Sequence, residues 1–133
     1  MILTAEAKSI PLAHEMARQS GNNRYIIARK GEKLYMKNVL SVAVQSITTL
    51  RKQQLFIAAD EAASMKDKQV LIIDDVISTG ESLAALEKLV AQSGGRVAGK
   101  MAVLAEGAAK NRDDIITLGY LPLLDKNGNA QSV

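Results

Sequence analysis

Thirteen residues, Val70-Leu71-Ile72-Ile73-Asp74-Asp75-Val76-Ile77-Ser78-Thr79-Gly80-Glu81-Ser82, constrain this chain more than any other stretch. The apolar run Val70 to Ile73 reads as a strand covered on both faces, the pattern of a parallel sheet. A helix follows, with Leu83, Leu86, Leu89 and Val90 on one stripe and Gly94-Gly95 at its end. Between strand and helix stand two adjacent acids and a short loop rich in hydroxyls.

The rest of the chain supplies partners for that unit. Ile2-Leu3-Thr4 reads as the end of a strand. Leu12, Ala13, Met16 and Ala17 recur at helical spacing, with Pro11 in the first turn and Gly21 as the stop. Tyr25 to Ala28 is a short buried-type strand, and Val97 to Leu104 and Ile115 to Leu118 are two more. Residues Val39 to Ile47 and Leu55 to Ala58 mostly alternate around Thr48 to Lys52, which predicts a two-stranded antiparallel excursion. The order predicts an α/β fold with a mostly parallel central sheet flanked by helices. With 133 residues the chain has one domain's length. We expect a core over 1–124 and a polar, frayed tail over 125–133. Ligands bind such sheets beyond the carboxyl ends of the strands, so the loops after Thr4, Arg29, Asp75 and Leu104 matter most.

Composition removes several function classes. Hydrophobic residues are 47% and charged residues 23%, which argues against disorder. No apolar run approaches the ~20 residues of a membrane span. The first residues do not resemble a secretion signal, and cysteine is absent, so a cytoplasmic protein without disulfides is the simplest expectation. A net charge of +3 and 3% aromatics (Tyr25, Tyr35, Phe56, Tyr120) do not suit direct nucleic-acid binding. His14 is the single histidine and reads as a helix-face residue, so a protein-only transition-metal site is not expected.

The loop itself points to phosphate chemistry. Gly80 lets the backbone approach a ligand closely, and Thr79 and Ser82 offer hydroxyls. The new helix offers unpaired N–H groups and the positive end of its dipole. Two nearby carboxylates suit a diol or a metal ion, and phosphate beside diol describes a ribose 5-phosphate. Taken singly, these residues are also ordinary helix caps and solvent-facing acids. Their ordered combination is what favours a site. An ATPase phosphate loop would need G-x-x-x-x-G-K-[ST] upstream, which is missing. A receiver domain carries its acid pair early, and too few residues follow Asp75 for the rest of one.

Val70 to Ser82 resembles the phosphoribosyl-pyrophosphate (PRPP) motif of type I phosphoribosyltransferases. The resemblance continues elsewhere. Ala5 to Ala13 is similar to the pyrophosphate loop and following helix of the adenine and xanthine enzymes, and Arg29 to Leu34 to the Arg-Lys segment of the adenine enzymes. The excursion from Val39 to Ala58 falls where the family has its flexible catalytic loop, and Ala105-Glu106-Gly107 follows the strand that ends beside the base.

The resemblance implies roles. Asp74 and Asp75 would hold the ribose hydroxyls, directly or through Mg²⁺, and with Lys30 form the catalytic set. Ser78, Thr79, Gly80, Glu81 and Ser82 would cradle the 5-phosphate. Ala7, Lys8, Ser9, Lys30 and Lys33 would hold pyrophosphate. Arg29 would serve the phosphates too or pack beside the base. The Thr48 to Lys52 tip would close over the site, and Arg51 or Lys52 would add charge there. The implied reaction moves the ribose 5-phosphate of PRPP to a purine, with pyrophosphate leaving, as in nucleotide salvage. Its demands are positioning and charge neutralisation.

The family places an N-terminal hood before the first core strand. Here Met1 falls inside that strand, so the resemblance covers the core without the hood. Xanthine enzymes carry lysine where Gly107 follows Glu106, whereas the Arg29-Lys30 segment leans toward adenine. The leading expectation is therefore an adenine-favouring purine phosphoribosyltransferase, a homodimer as is common in the family. The alternatives are a regulatory PRPP-binding domain, as in purine-operon repressors, and a truncated domain without catalysis.

Overall fold

The computed structural model describes residues 1–45 and 53–131. In chain order these form β1 (Ile2–Ala5), α1 (Ile10–Gln19), β2 (Tyr25–Ala28), β3 (Leu40–Val44), β4 (Gln53–Ile57), α2 (Ala59–Met65), β5 (Gln69–Ile77), α3 (Glu81–Gln92), β6 (Arg96–Glu106), a 3₁₀ helix (Gly107–Asn111) and β7 (Ile116–Leu121). Five strands make one parallel sheet in the order β2-β1-β5-β6-β7, and β3 and β4 form a separate antiparallel pair. The expected α/β architecture with an antiparallel excursion is what the chain adopts.

Alternation along the strands sorts the core onto two faces. Leu3, Ile26, Val70 and Ile72 meet Leu83, Leu86, Leu89 and Val90 of α3 and Val42, Leu55 and Ile57 of the β3–β4 hairpin. Ile2 and Ile73 point the other way, onto Ala13 and Ala17 of α1. The hairpin is tied to the sheet through Arg29 and Phe56, whose backbones exchange hydrogen bonds of 2.9 and 2.8 Å. Among the described residues no helix is long and apolar enough to cross a membrane.

Several elements differ from the sequence expectations. β5 does not end before the acids but runs through them to Ile77, because β6 stays paired with it as far as Ile77 and Ala105. α2 was not anticipated; its first turn is closed by Glu61, whose Oε1 accepts the Ala58 N–H at 3.0 Å. The expected frayed tail folds back through residue 131. The Asp125 carboxylate accepts the N–H groups of Asn127 and Asn129, and Gln131 N–H reaches Leu123 O at 2.7 Å. The expected lid tip, Thr48 to Lys52, lies outside the described residues.

Candidate active site

The sheet topology brings three loops to one edge. β1 and β5 are neighbours, so the residues after Ala5 face those after Ile73, and β2 places Lys30 alongside. Between them and the hairpin opens a cleft of about 230 Å³. Its lining includes Ala7, Lys8, Ser9, Lys30, Asp74, Asp75 and Ser82, joined by Gln53 of the hairpin.

The loop after β1 is held from below. Thr4 is fully buried, and its Oγ1 donates to Ile73 O at 2.7 Å, bridging β1 to β5. Ser9 is buried too, with Oγ at 2.6 Å from Thr4 Oγ1 and 3.1 Å from Ala5 O. Its hydroxyl therefore faces into the fold and shapes the loop, and the Ser9 contribution to the cleft is its backbone. The Glu6–Ala7 peptide in this loop is cis. Thr4→Val keeps the volume but removes the bridging hydroxyl. It should lower unfolding stability by roughly 1–3 kcal/mol with an unchanged denaturant slope. A variant as stable as the original chain would show that the bridge contributes nothing.

Glu6 organises the basic residues. Its carboxylate accepts the Lys30 N–H at 3.0 Å and sits 3.4 Å from Arg29 Nη1 and 3.9 Å from Lys33 Nζ. The Lys30 backbone hydrogen bond, with the Lys33 and Arg29 charges, holds the Glu6 carboxyl low against the opposing effect of burial. Arg29 and Lys33 thus stand one step behind the cleft, turned to Glu6, while Lys8 and Lys30 line it. Sequence reasoning gave Glu6 no role. An acid among basic residues immediately after a strand was the available signal.

The acid pair is electrostatically split. Burial pushes the Asp74 carboxyl up to about 7, and its hydrogen bond with Asp75 and the neighbouring negative charge push the same way. For Asp75, burial acts upward, but hydrogen bonds from Asp74 and from backbone N–H groups, with the Lys8 charge, outweigh it and hold the carboxyl low. The two acids titrate as a pair, with Asp74 the partner pushed toward its protonated form and Asp75 the one held toward its charged form. The Asp75 N–H also donates to Asp74 Oδ1 at 2.8 Å, which fixes the pair's geometry.

The loop that opens α3 sits beside this pair. Gly80 is the N-cap, at φ +83°, and brings no side chain to the first turn. Thr79 Oγ1 accepts the Glu81 N–H over a long 3.4 Å. An anion at this helix end would meet first-turn N–H groups that have no partner within the helix. Ser82 lines the main cleft, whereas Thr79, Gly80 and Glu81 line an adjoining one of about 270 Å³ with Gln45 and Lys88. Ser78 lines neither.

The phosphoribosyl transferase domain family matches residues 1–130 of the chain. The chain belongs to this family. Among curated relatives of this phosphoribosyl transferase domain, the hypoxanthine/guanine phosphoribosyltransferase of Methanococcus voltae is 32% identical over 119 residues, covering 90% of this chain and 59% of that protein. The xanthine phosphoribosyltransferase of Bacillus licheniformis is 30% identical over 95 residues, covering 71% of this chain and 48% of that one. The domain thus spans about half the length of these relatives. Among solved structures, adenine phosphoribosyltransferase from Thermoanaerobacter pseudethanolicus superposes with a TM-score of 0.71 at 24% identity, over 90% of this chain and 69% of that one. The Trypanosoma brucei adenine phosphoribosyl transferase, in complex with AMP, pyrophosphate and ribose-5-phosphate, gives 0.72 at 16% identity, over 99% and 60%. At these identities the structural likeness is one of fold.

Proposed function

We propose that the cleft binds PRPP and transfers its ribose 5-phosphate to a purine, releasing pyrophosphate. One observation carries this reading: the acid pair, the loop after β1, Lys30 and Ser82 all line a single cleft. In this reading Asp74 and Asp75 hold the ribose diol. Residues Ser78 to Ser82 receive the 5-phosphate at the α3 N-terminus. Lys8, Lys30 and the backbone of Ala7 and Ser9 take the pyrophosphate, with Arg29 and Lys33 adding positive charge from behind Glu6.

Mg²⁺ fits the donor set. Its ligands are hard oxygens, and it is commonly bound by one or two carboxylates together with phosphate oxygens. Asp74 and Asp75 supply the two carboxylates, and among the described residues no cluster of three or more ligating side chains offers an all-protein cage. When bound, the ion would neutralise charge on the departing pyrophosphate. The residues themselves orient the ribose, neutralise phosphate charge and exclude water.

Adenine is the base we favour, because the Arg29-Lys30 segment resembles that of the adenine enzymes and Gly107 stands where xanthine enzymes carry lysine. Gly107 turns at φ +61° with Leu123 Cγ 3.0 Å from where a Cβ would stand, so a lysine there would need a strained backbone and a shifted Leu123. The direct test is calorimetric titration of PRPP with Mg²⁺, followed by adenine, guanine, hypoxanthine and xanthine with a pyrophosphate assay. PRPP binding with release on adenine is expected. Binding without release on any base would leave a PRPP-binding regulatory domain or a non-catalytic one, and no binding would overturn the reading of the cleft.

A further inference from the structure

Arg112 lies beyond the 3₁₀ helix, outside both clefts, and reaches back to the loop that opens α3. Its Nε and Nη2 donate to the two oxygens of Asp114 at 2.8 and 2.6 Å. Lys100 on β6 donates to the same Asp114 at 2.9 Å and to Glu87 on α3 at 2.9 Å. A line of ion pairs therefore starts on α3, crosses β6 and ends at the Arg112 guanidinium. The remaining nitrogen, Nη1, faces Gly80, the α3 N-cap. A Cβ placed on Gly80 would stand 2.6 Å from it.

We infer that Arg112 is a positioning residue for the phosphate loop. Its guanidinium, oriented by Asp114, packs on the bare Cα of Gly80 and braces the left-handed turn that aims the α3 N–H groups. It also sets a full positive charge beside that helix end. The inference rests on the reading that residues 78–82 take the 5-phosphate. The sequence did not reveal it, because Arg112 meets Gly80 only through the chain's return along β6.

The partly exposed ion pairs contribute little to stability, so the effect should be read in binding. Arg112→Ala should leave the melting temperature nearly unchanged and weaken ribose 5-phosphate binding roughly tenfold. Inorganic pyrophosphate, which binds at the other end of the cleft, should bind as before. Arg112→Lys should recover only part of the loss, because lysine cannot keep both bonds to Asp114. Asp114→Asn, remote from any ligand, should shift ribose 5-phosphate affinity the same way by a smaller factor.

Calorimetry of the original chain and these variants with each ligand separates the outcomes. Loss confined to ribose 5-phosphate supports the inference. Affinities unchanged from the original chain for both ligands in Arg112→Ala, or an equal fold loss of both, overturn it while leaving the PRPP reading standing. If the original chain itself fails to bind ribose 5-phosphate, the assignment of the loop fails and takes this inference with it.

Discussion

Replacing Asp74 and Asp75 together by asparagine should weaken PRPP binding by about a hundredfold or more. In the proposed reading each carboxylate would give the ribose diol, or a bound Mg²⁺, a charge-assisted bond worth roughly 1.5–3 kcal/mol. Asparagine keeps the shape and one acceptor oxygen but loses the charge. Unchanged affinity, read by calorimetry, would show that the diol lies elsewhere.

The single variant Asp74→Asn should behave differently in the ligand-free chain. The folded Asp74 carboxyl sits at about 7, above its unfolded value, so between pH 4 and 7 the folded state holds a proton that the unfolded state has released. Stability contributed by this group therefore falls as pH rises, and the loss is complete above pH 7. Asparagine imitates the protonated acid. Its amide can still accept the Asp75 N–H and donate to the Asp75 carboxylate. The variant should match the parent near pH 4 and exceed it by roughly 1–2 kcal/mol at pH 8, the full linkage value being reduced because water reaches part of the site. Asp75 opposes this trend: its carboxyl is held low, so its contribution is present at neutral pH and lost on acidification. Melting curves at both pH values give the sign directly. A variant less stable than the parent at pH 8 would mean the pair is not strained by burial.

Gly80→Val should have the second large effect. The backbone there is at φ +83°, a conformation that a β-branched residue avoids. A new Cβ would also displace Arg112 Nη1, breaking its alignment with Asp114. We expect a loss of roughly 2–3 kcal/mol in stability and no measurable ribose 5-phosphate binding. Gly80→Ala should fall between. Normal binding by the valine variant would move the phosphate cradle away from this loop.

The part of the site that is continuous in sequence was legible. Val70 to Ser82 carries its own strand, acids, loop and helix start, and each step is a local preference that the fold did not override. Lys8 and Lys30 could be placed at the ligand edge because each closely follows a strand. What could not be read is what depends on distant residues meeting. Thr4 is an ordinary threonine until Ile73 O lies 2.7 Å away, and Glu6 becomes an organiser only once β2 sets Arg29 and Lys30 beside it. Strand ends were missed for the same reason. The strand was expected to stop on delivering the acids, with a turn after them, yet β5 continues to Ile77 because β6 provides a ladder for the extra residues. Asp125 likewise looked like part of a frayed tail, until its carboxylate is seen collecting two backbone N–H groups.

The placement of β1 between β2 and β5 also has a kinetic side. Ile2 to Thr4 pair with Leu71 to Ile73, so the middle of the sheet joins segments very far apart along the chain. Closing so long a loop is slow, and parallel pairing of this kind raises contact order. The α1–β2 and β5–α3–β6 units can each gather locally beforehand. The Thr4 bridge, and with it the shape of the loop over Lys8, must wait until those halves dock. A chain with only the β5–α3–β6 unit formed would own the α3 helix end while lacking the loop after β1, and ligand capture by a cleft that needs both would report completion of folding rather than precede it.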